Sequence, residues 1–338
     1  MRDWTFGAGT DMGLAGFIRD VTGAESVDVE EGLLLTGGAI QKNRALRVTI
    51  SDGDLEGTHE MVLRCEASSK LSESQPLQNQ FKLLEIAKKA KITVPQPYWF
   101  CGDSSVIGEP FYLMERIKGE SLGNRITRNG AQPNIAAKLG KELAKIHSIG
   151  NPGNQLNFLE SVQNSPALDA ITKYRRYLDE LPEPHPVIEW TLRWLELKAP
   201  RSDEIVLCHR DFRTGNYMVQ SGKLTAILDW EFSGWGDPHE DIAWFCARCW
   251  RFSAPELQAG GIADRQAFYN AYEEHTGRSI DHQQIHYWET MAHARWAIIA
   301  LQQSMRHRSK EEPNLEFALI GRRLAELEYE SLKLTGVL

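Results

Sequence analysis

The sequence lacks long apolar runs and an excess of positive charge. No window approaches the roughly 18 consecutive apolar residues that a membrane span needs, and runs such as Trp296–Leu301 are far shorter. No apolar signal stretch follows Met1 to Trp4, so we expect neither membrane insertion nor secretion. Lys and Arg total 38 against 46 Asp and Glu, a net charge of −8. This sign disfavours nucleic-acid backbones and anionic membranes, so we expect no partner of either kind.

Cysteines are too few and too scattered for a disulfide scaffold. There are five, an odd number, which indicates a reducing cytoplasm. Cys246 and Cys249 have the spacing of a metal or redox pair, but without a second pair we expect buried free thiols. His282 and His286 are four residues apart but lack the Glu of a zinc-binding H-E-x-x-H helix, so we expect a surface or partly buried pair.

What remains is an ordinary composition for a globular protein. The chain has 338 residues, of which 42% are hydrophobic and 25% charged. Disorder and collagen are excluded, and the length is sufficient for two core-bearing units.

The pattern of apolar residues changes near residue 115. Before it, a helical pattern at 14–21 leads into strand-like runs at 33–35, 46–50 and 61–63. A helix begins at Pro76, and two more strand-like runs follow at 98–101 and 111–114. From about residue 118, helices are predicted at 133–149, 167–180, 187–197, 263–275, 283–307 and 314–334, and only 205–229 is strand-like. We therefore predict an α+β, bilobal fold, with a small β-rich lobe at 1–116 and a larger α-rich lobe at 117–338.

The densest chemistry lies at 209–216, His-Arg-Asp-Phe-Arg-Thr-Gly-Asn, followed after a predicted hairpin by Ile-Leu-Asp-Trp-Glu at 227–231. Phosphorylation of a hydroxyl needs one carboxylate that accepts its proton, and a second carboxylate with an amide oxygen that hold Mg²⁺ on the phosphates. Asp211, Asp229 and Asn216 supply these groups. A tight loop followed by a hairpin is expected to bring them together.

These motifs resemble the H-x-D-x-x-x-x-N and I-x-D-[WF] signatures of the aminoglycoside phosphotransferase-like kinases, which have a protein-kinase-like fold. Together with GGAIQKN, VLR, FYLMERIKG and GDPHEDIAW, they are most similar to kinase-like domains fused to some acyl-CoA dehydrogenases and to free-standing bacterial relatives. The resemblance runs from about Leu33 to Arg306.

The resemblance implies roles for the residues of the loop. Asp211 is expected to be the catalytic base, Asn216 and Asp229 the Mg²⁺ ligands, and His209 an organiser of the loop. Arg213 lies where protein kinases carry a Lys on the transferring phosphate. The alternative for Arg213 is a salt bridge to a carboxylate such as Glu231.

The resemblance also implies an ATP site in the first lobe. The turn at Gly37 and Gly38 would approach the phosphates through its backbone amides. Arg64 would bind phosphate oxygens through its guanidinium, or, in the alternative interpretation, would be a solvated residue at the end of a strand. Gln80 stands where a kinase helix supplies a Glu to pair with that cation, while Glu85 lies near the opposite face. A hinge at 115–117, formed by Glu115, Arg116 and Ile117, would meet the adenine edge, although an ordinary edge strand fits the same residues.

The acceptor is expected to be small, because only eleven residues separate Asp229 from Asp241 where protein kinases carry a long peptide-binding segment. Asp241 is interpreted as a helix-starting residue that ties down the catalytic loop.

Two surfaces conflict on the charge of the acceptor. The acidic set, Glu231, Asp237 and Glu240, would attract a cation. The basic face formed by Arg295, Gln302 and Arg306 would suit an anion or a CoA thioester, unless it is a solvated stripe paired with residues 311–312.

We therefore predict a phosphotransferase with an alcohol group as acceptor, dependent on ATP and Mg²⁺, acting on a small molecule such as a hydroxy acid or hydroxyacyl-CoA. The alternatives are an aminoglycoside or choline-type kinase, and a nucleotide-binding pseudokinase suggested by Gln80. The oligomeric state stays open.

Overall fold

The computed structural model describes residues 13–35, 42–66, 73–202, 204–310 and 313–338. The chain divides into two compact units. The first comprises residues 1–119 and 225–231, and the second comprises 120–224 and 232–338. The domain limits predicted from the sequence, 1–116 and 117–338, did not include this return of 225–231 to the first unit.

The described residues of the first unit form a five-stranded antiparallel sheet and two helices. Its elements are α1 (Leu14–Thr22), β1 (Ser26–Leu35), β2 (Lys42–Ser51), β3 (Gly57–Cys65), α2 (Leu77–Lys89), β4 (Pro97–Cys101) and β5 (Phe111–Glu115). The strand order is β1-β2-β3-β5-β4. Leu46, Val48 and Ile50 alternate along β2, so all three point into one buried cluster with Leu14 and Ile18 of α1.

The second unit is mainly helical. Its helices are α3 (Gly123–Thr127), α4 (Pro133–His147), α5 (Pro166–Asp179), α6 (Pro186–Leu197), α7 (Pro238–Cys246), α8 (Arg265–Thr276), α9 (His282–Arg308), α10 (Leu315–Gly321) and α11 (Leu324–Leu334). The long helix α9 packs against α5, α6, α7, α10 and α11, and α4 packs against α8.

One predicted helix, 314–334, is wrong as a single element. The structure has two helices instead, because the Arg322 and Arg323 amides bond three residues back, to Leu319 and Ile320, which tightens the backbone into a turn. Gly321 ends α10 at a close contact, where an added Cβ would lie 2.6 Å from the Cβ of Ser304. A glycine at this point favours a break in the helix.

Short strands frame the polar loop at 209–216 of the second unit. Strand β6 (Val206–Cys208) pairs antiparallel with β9 (Gly234–Gly236), and β7 (Tyr217–Gln220) forms a two-stranded sheet with β8 (Lys223–Ile227). Strand β9 was not predicted. The loop at 209–216 begins where β6 ends, so the β6–β9 pairing fixes its entry point. Among the described residues, no helix combines the length and apolarity needed to cross a membrane.

Candidate active site

The loop at 209–216 is anchored by Asp241. Its carboxylate accepts hydrogen bonds from the backbone amides of His209, at 2.6 Å, and Arg210, at 2.7 Å, and lies 3.1 Å from Nε2 of His147. Anchoring was predicted, but the predicted helix-starting role is wrong. Asp241 lies inside α7, and the N-cap is Asp237, whose side chain accepts from the His239 amide. Satisfied backbone donors hold the start of the loop rigid.

Electrostatics agree with this anchoring. Burial alone raises the pKa of Asp241, but the hydrogen bond and charge of His147, with the contribution of His209, outweigh it, so the pKa lies below its usual value. His147, Cys208 and Asp241 also place potential metal-binding atoms within 4.8 Å of one another. Both nitrogens of His147 are engaged, however, Nδ1 with Tyr272 Oη at 2.8 Å. Burial raises the pKa of the Cys208 thiol, so the cluster is a hydrogen-bond network.

Two polar residues of the motifs adopt left-handed backbone conformations. Arg210 has φ +62° and Asp229 has φ +68°. Such a conformation is strained for a residue with a Cβ, at a cost of about 1–3 kcal/mol, and persists where surrounding contacts enforce it. In Arg210 the amide bonds Asp241 and the guanidinium Nη2 donates to the carbonyl of Trp235 at 2.7 Å.

Within the described part of the chain, the Asp211 carboxylate accepts hydrogen bonds from three side chains. Oδ1 accepts from Nε1 of Trp244 and from Nε of Arg213, both at 3.0 Å. Oδ2 accepts from Nδ2 of Asn216, which also donates to the Asp211 backbone carbonyl at 3.0 Å. The orientation of the carboxylate is therefore fixed, and the amide oxygen of Asn216 is left as that residue's remaining ligand atom.

Arg213 pairs with Asp211, within its own loop. This differs from the Glu231 salt bridge that the sequence offered as an alternative. Its guanidinium carbon also lies 4.4 Å from the ring centroid of Trp250, a cation–π arrangement. Glu231 is buried and accepts instead from Oγ of Ser74 at 2.9 Å.

In the first unit, Arg64 forms an ion pair with Asp229, with Nη2 2.8 Å from Oδ1. Arg64 is 7% exposed, so it is not the solvated strand-end residue of the alternative interpretation. Burial acts to lower its pKa, but the electrostatic influence of Tyr112, Asp229 and Glu231 outweighs it and raises the pKa. Its Nε is buried without a hydrogen-bond partner among the described residues, so one donor is available to a ligand.

Gln80 is also buried in the first unit. Its Nε2 donates to the backbone carbonyl of Gln75 at 2.8 Å. Glu85, the residue that a register shift would have used, lies 3.6 Å from Lys82 on the same helix. The predicted contact of Gln80 with Arg64 stays a prediction.

The predicted hinge at 115–117 has two amides with backbone partners and one without a partner among the described residues. The Glu115 amide donates to the carbonyl of Gln96 at 2.8 Å, and the Arg116 amide donates to that of Glu60 at 3.0 Å. Ile117 follows the strand, and its amide has no partner in the described part of the chain. Gly37 and Gly38, the predicted phosphate-binding turn, lie outside the described residues.

Neither predicted acceptor surface is an open patch. Arg295 is 5% exposed, donates from Nη1 to the carbonyl of Arg210 at 2.6 Å, and lies over the ring of Trp244. Arg306 packs over Phe317. The solvated-stripe interpretation is therefore wrong for Arg295, and residues 311–312 lie outside the described part.

The acidic set is equally occupied. Glu231 bonds Ser74, Asp237 caps α7 and accepts from Ser202 Oγ at 2.7 Å, and Glu240 lies 3.5 Å from Arg210. These carboxylates hold parts of the fold together.

The cysteine pair and the histidine pair, whose spacing resembles that of metal ligands, have the structural roles expected from the sequence. Cys246 and Cys249 are buried free thiols, and burial raises the pKa of each to about 12. His282 and His286 are exposed, and Nε2 of His286 lies 2.9 Å from the Leu334 carbonyl.

No role was predicted from the sequence for Trp244, which appeared there only as the last residue of GDPHEDIAW. Its spacing carried a usable signal, because Trp244 lies three residues after Asp241 and so shares a helix face with it.

Comparison with known sequences and structures places the chain in a family. The family model described as "Phosphotransferase enzyme family" matches residues 36–277. Acyl-CoA dehydrogenase family member 10 of Mus musculus is 28% identical over 237 residues, covering 68% of this chain and 21% of that protein. Family member 11 of Homo sapiens is 28% identical over 218 residues, covering 62% and 28%. The chain thus spans only about a quarter of the length of these relatives.

Solved structures share the fold. A protein of Ralstonia eutropha JMP134, proposed to be an aminoglycoside phosphotransferase, has a TM-score of 0.74 at 20% identity, with 95% of this chain and 96% of that chain covered. Ethanolamine kinase of Plasmodium vivax has a TM-score of 0.59 at 17% identity, covering 88% and 81%. A spectinomycin phosphotransferase in complex with ADP and spectinomycin has a TM-score of 0.61 at 14% identity, covering 94% and 98%.

These matches confirm the predicted kinase-like fold and the predicted enzyme class. Since the family model covers well over half of the residues, the chain belongs to the phosphotransferase enzyme family and is a phosphotransferase.

Proposed function

We propose that this phosphotransferase moves the γ-phosphoryl group of ATP, with Mg²⁺, to a hydroxyl of a small acceptor. The observation that carries the proposal is the set of hydrogen bonds around Asp211. Both lone pairs of Oδ1 are used by Trp244 and Arg213, whereas Oδ2 accepts, among the residues that the structure describes, from Asn216 alone. A carboxylate oxygen accepts two hydrogen bonds, so Oδ2 retains one position for the acceptor hydroxyl.

In the reaction, Asp211 orients that hydroxyl and takes its proton as the acceptor oxygen bonds the γ-phosphorus. The bond from the γ-phosphorus to the bridging oxygen breaks, and ADP leaves with the electron pair. Arg213 is partly exposed, with 23% of its side chain accessible, and a guanidinium can turn from Asp211 towards charge that spreads over the phosphoryl oxygens.

The residues proposed for Mg²⁺ fit that ion. Asp229 offers carboxylate oxygens and Asn216 an amide oxygen, and hard oxygen donors are what Mg²⁺ prefers. The Asn216 nitrogen is occupied by Asp211, which directs the amide oxygen to a ligand. When bound, Mg²⁺ neutralises phosphate charge.

For the nucleotide, we propose that Arg64 holds phosphate oxygens and that the hinge meets the adenine edge. The Nε of Arg64 and the amide of Ile117, neither of which has a partner among the described residues, support these roles. Gly37 and Gly38 are proposed to approach the phosphates through their backbone amides.

For the acceptor, we propose a hydroxy acid or a hydroxyacyl-CoA. Support comes from the relatives named acyl-CoA dehydrogenase family members 10 and 11, while the short 229–241 link supports only a small acceptor. The second candidate is an amino alcohol or aminoglycoside, favoured by the fold neighbours named ethanolamine kinase and spectinomycin phosphotransferase.

The test is ADP release by purified protein with Mg·ATP and a panel of hydroxy acids, hydroxyacyl-CoAs, amino alcohols and aminoglycosides. We expect turnover with a member of the first two classes, and turnover lower by roughly 10² to 10⁴ with Asp211→Asn, a near-isosteric control. A best acceptor from the amino alcohols or aminoglycosides would overturn the acceptor class alone. Tight Mg·ATP binding without turnover on any acceptor would support a pseudokinase and overturn the proposed reaction.

A further inference from the structure

The indole of Trp244 lies between Asp211 and Arg295 in the second unit. We propose that Trp244 is the positioning residue of the catalytic carboxylate, and that Arg295 is the residue that holds its ring. This inference rests on the proposed function, because it explains how Asp211 keeps its orientation for the acceptor hydroxyl.

Trp244 makes a directional contact with Asp211. Nε1 is 3.0 Å from Oδ1, and the side chain is 2% exposed. Indole N–H is a donor only, so this contact permits one arrangement of the two groups. With Oδ1 held, rotation of the carboxylate is restricted and Oδ2 is presented on the other side.

Arg213 cannot serve this purpose alone. It bonds the same Oδ1 at 3.0 Å, but its proposed task is to turn towards the phosphoryl group. When it does, Asp211 loses one of the two donors on Oδ1. Trp244 is buried within α7 and stays in place, so it is the donor that holds the carboxylate during transfer.

Arg295 fixes the plane of the indole. Its guanidinium carbon lies 4.5 Å from the ring centroid of Trp244, within the range of a cation–π contact. Its Nη1 also donates to the carbonyl of Arg210 at 2.6 Å, in the loop that carries Asp211. Arg295 therefore joins the loop and the indole, and this replaces the acceptor-binding role predicted from the helical face.

The test compares Trp244→Phe with a matched control, Trp288→Phe. Trp288 is equally buried, at 2% exposed, and its indole N–H has no hydrogen-bond partner among the described residues. Both variants remove the same volume, but only the first removes a hydrogen bond to the carboxylate. The assays are Mg·ATP turnover with the best acceptor of the panel, basal ATP hydrolysis, and ADP binding.

We expect Trp244→Phe to lower kcat roughly tenfold to a hundredfold, the effect of losing one hydrogen bond to a charged group. The KM for ATP and the affinity for ADP should each change by less than about twofold. Trp288→Phe should retain kcat. Arg295→Gln should lower kcat in the same direction as Trp244→Phe, and the double variant should lose less than the sum of the two effects.

Each outcome decides the question. An unchanged kcat in Trp244→Phe overturns the inference, as does an equal loss in Trp288→Phe, which would indicate packing alone. If Trp244→Phe does not fold, a benzothienyl-alanine at position 244 keeps the ring shape without the N–H, and unchanged kcat there also overturns it. Absence of turnover in the unmodified protein instead contradicts the proposed function itself.

Discussion

The two groups of candidate catalytic residues are held in different ways. In the first unit, Arg64 and Asp229 hold each other through one ion pair, and Arg64 keeps an unpartnered Nε. In the second unit, Asp211 has three side-chain donors, and the backbone before it is fixed by the buried Asp241. Arg64 and Asp229 can therefore exchange partners when a ligand binds, whereas Asp211 is held in one orientation before the ligand binds.

The difference matches the tasks proposed for them. Arg64 and Asp229 have to separate before they can contact phosphate and Mg²⁺. Because one ion pair joins them, their separation requires little rearrangement of the surrounding structure. A general base gains from being held in place, since its geometry at the hydroxyl decides the rate. Substitutions in the first unit should therefore weaken the binding of nucleotide or Mg²⁺, with or without a change in kcat, whereas substitutions in the second unit should lower kcat alone.

The largest effect is expected for Asp211→Ala. Loss of the base should lower kcat by roughly 10² to 10⁴ and leave ADP affinity nearly unchanged, as measured by calorimetry and steady-state kinetics. Near-normal turnover would remove Asp211 from the mechanism and end the contrast between the two units.

Asp229→Ala should lower kcat and also raise the Mg²⁺ concentration for half-maximal activity, by about tenfold or more, because a metal ligand is lost. The measurement is a Mg²⁺ titration beside that of Asp211→Ala. Identical curves for the two variants would contradict the division of roles.

Asp241→Asn should destabilise the protein by about 1–3 kcal/mol, because one of the two carboxylate oxygens becomes an NH₂ group that cannot accept. Oδ1 accepts from the Arg210 amide, and Oδ2 accepts from the His209 amide and faces Nε2 of His147. The pKa of Asp241 is below its usual value of 3.8, so the ionised carboxylate stabilises the fold above that pH, and its contribution is lost as pH falls through the lowered pKa. In urea unfolding at several pH values, the free energy of unfolding of the variant should fall less than that of the unmodified protein as the pH drops below about 4. A parallel pH dependence would show that another group dominates.

Arg64→Ala should raise the KM for ATP about tenfold, the effect of one charge-assisted hydrogen bond, while kcat changes less. Arg64→Lys retains charge but not a bidentate fork, so an intermediate KM is expected. If only kcat falls, Arg64 belongs with the rate-determining groups of the second unit.

The smallest effect is expected for Gln80→Glu. If Gln80 faces Arg64, the new carboxylate adds an ion pair, and ATP affinity stays the same or rises slightly in an equilibrium binding assay. Loss of folding, checked by circular dichroism, would show that Gln80 belongs to a packed site around Gln75 and that the predicted register is mistaken.

Local pattern was sufficient to predict much of the fold. Alternation in β2 and the helical spacing of 14–21 each reflect one buried face, so sequence periodicity predicts them directly. Strand β9 has only three residues, two of them glycine, and forms because β6 lies opposite. No window of sequence carries that information. The break at Gly321 likewise depends on its contact with Ser304.

Site residues could be predicted from the sequence where they belong to a motif. They could not be predicted where their role depends on contacts with residues far along the chain. Asp211 and Asn216 were singled out and lie in contact. Arg295 was assigned to a surface because helix spacing does not reveal burial, and its actual partners, Trp244 and the Arg210 carbonyl, come from other elements.

The return of residues 225–231 to the first unit limits how this protein can be recombined. The Ile227 amide donates to the Thr93 carbonyl and the Gln75 amide to the Glu231 carbonyl, each at 2.7 Å. A chimera made by exchanging residues up to 119 with a relative would pair a foreign sheet with the original Asp229 segment. A compatible chimera therefore has to exchange two segments, residues 1–119 and residues 225–231, so that the short segment and the sheet that it contacts come from the same parent. The two units are not consecutive in the gene, because the coding sequence of the second unit is interrupted by that of residues 225–231.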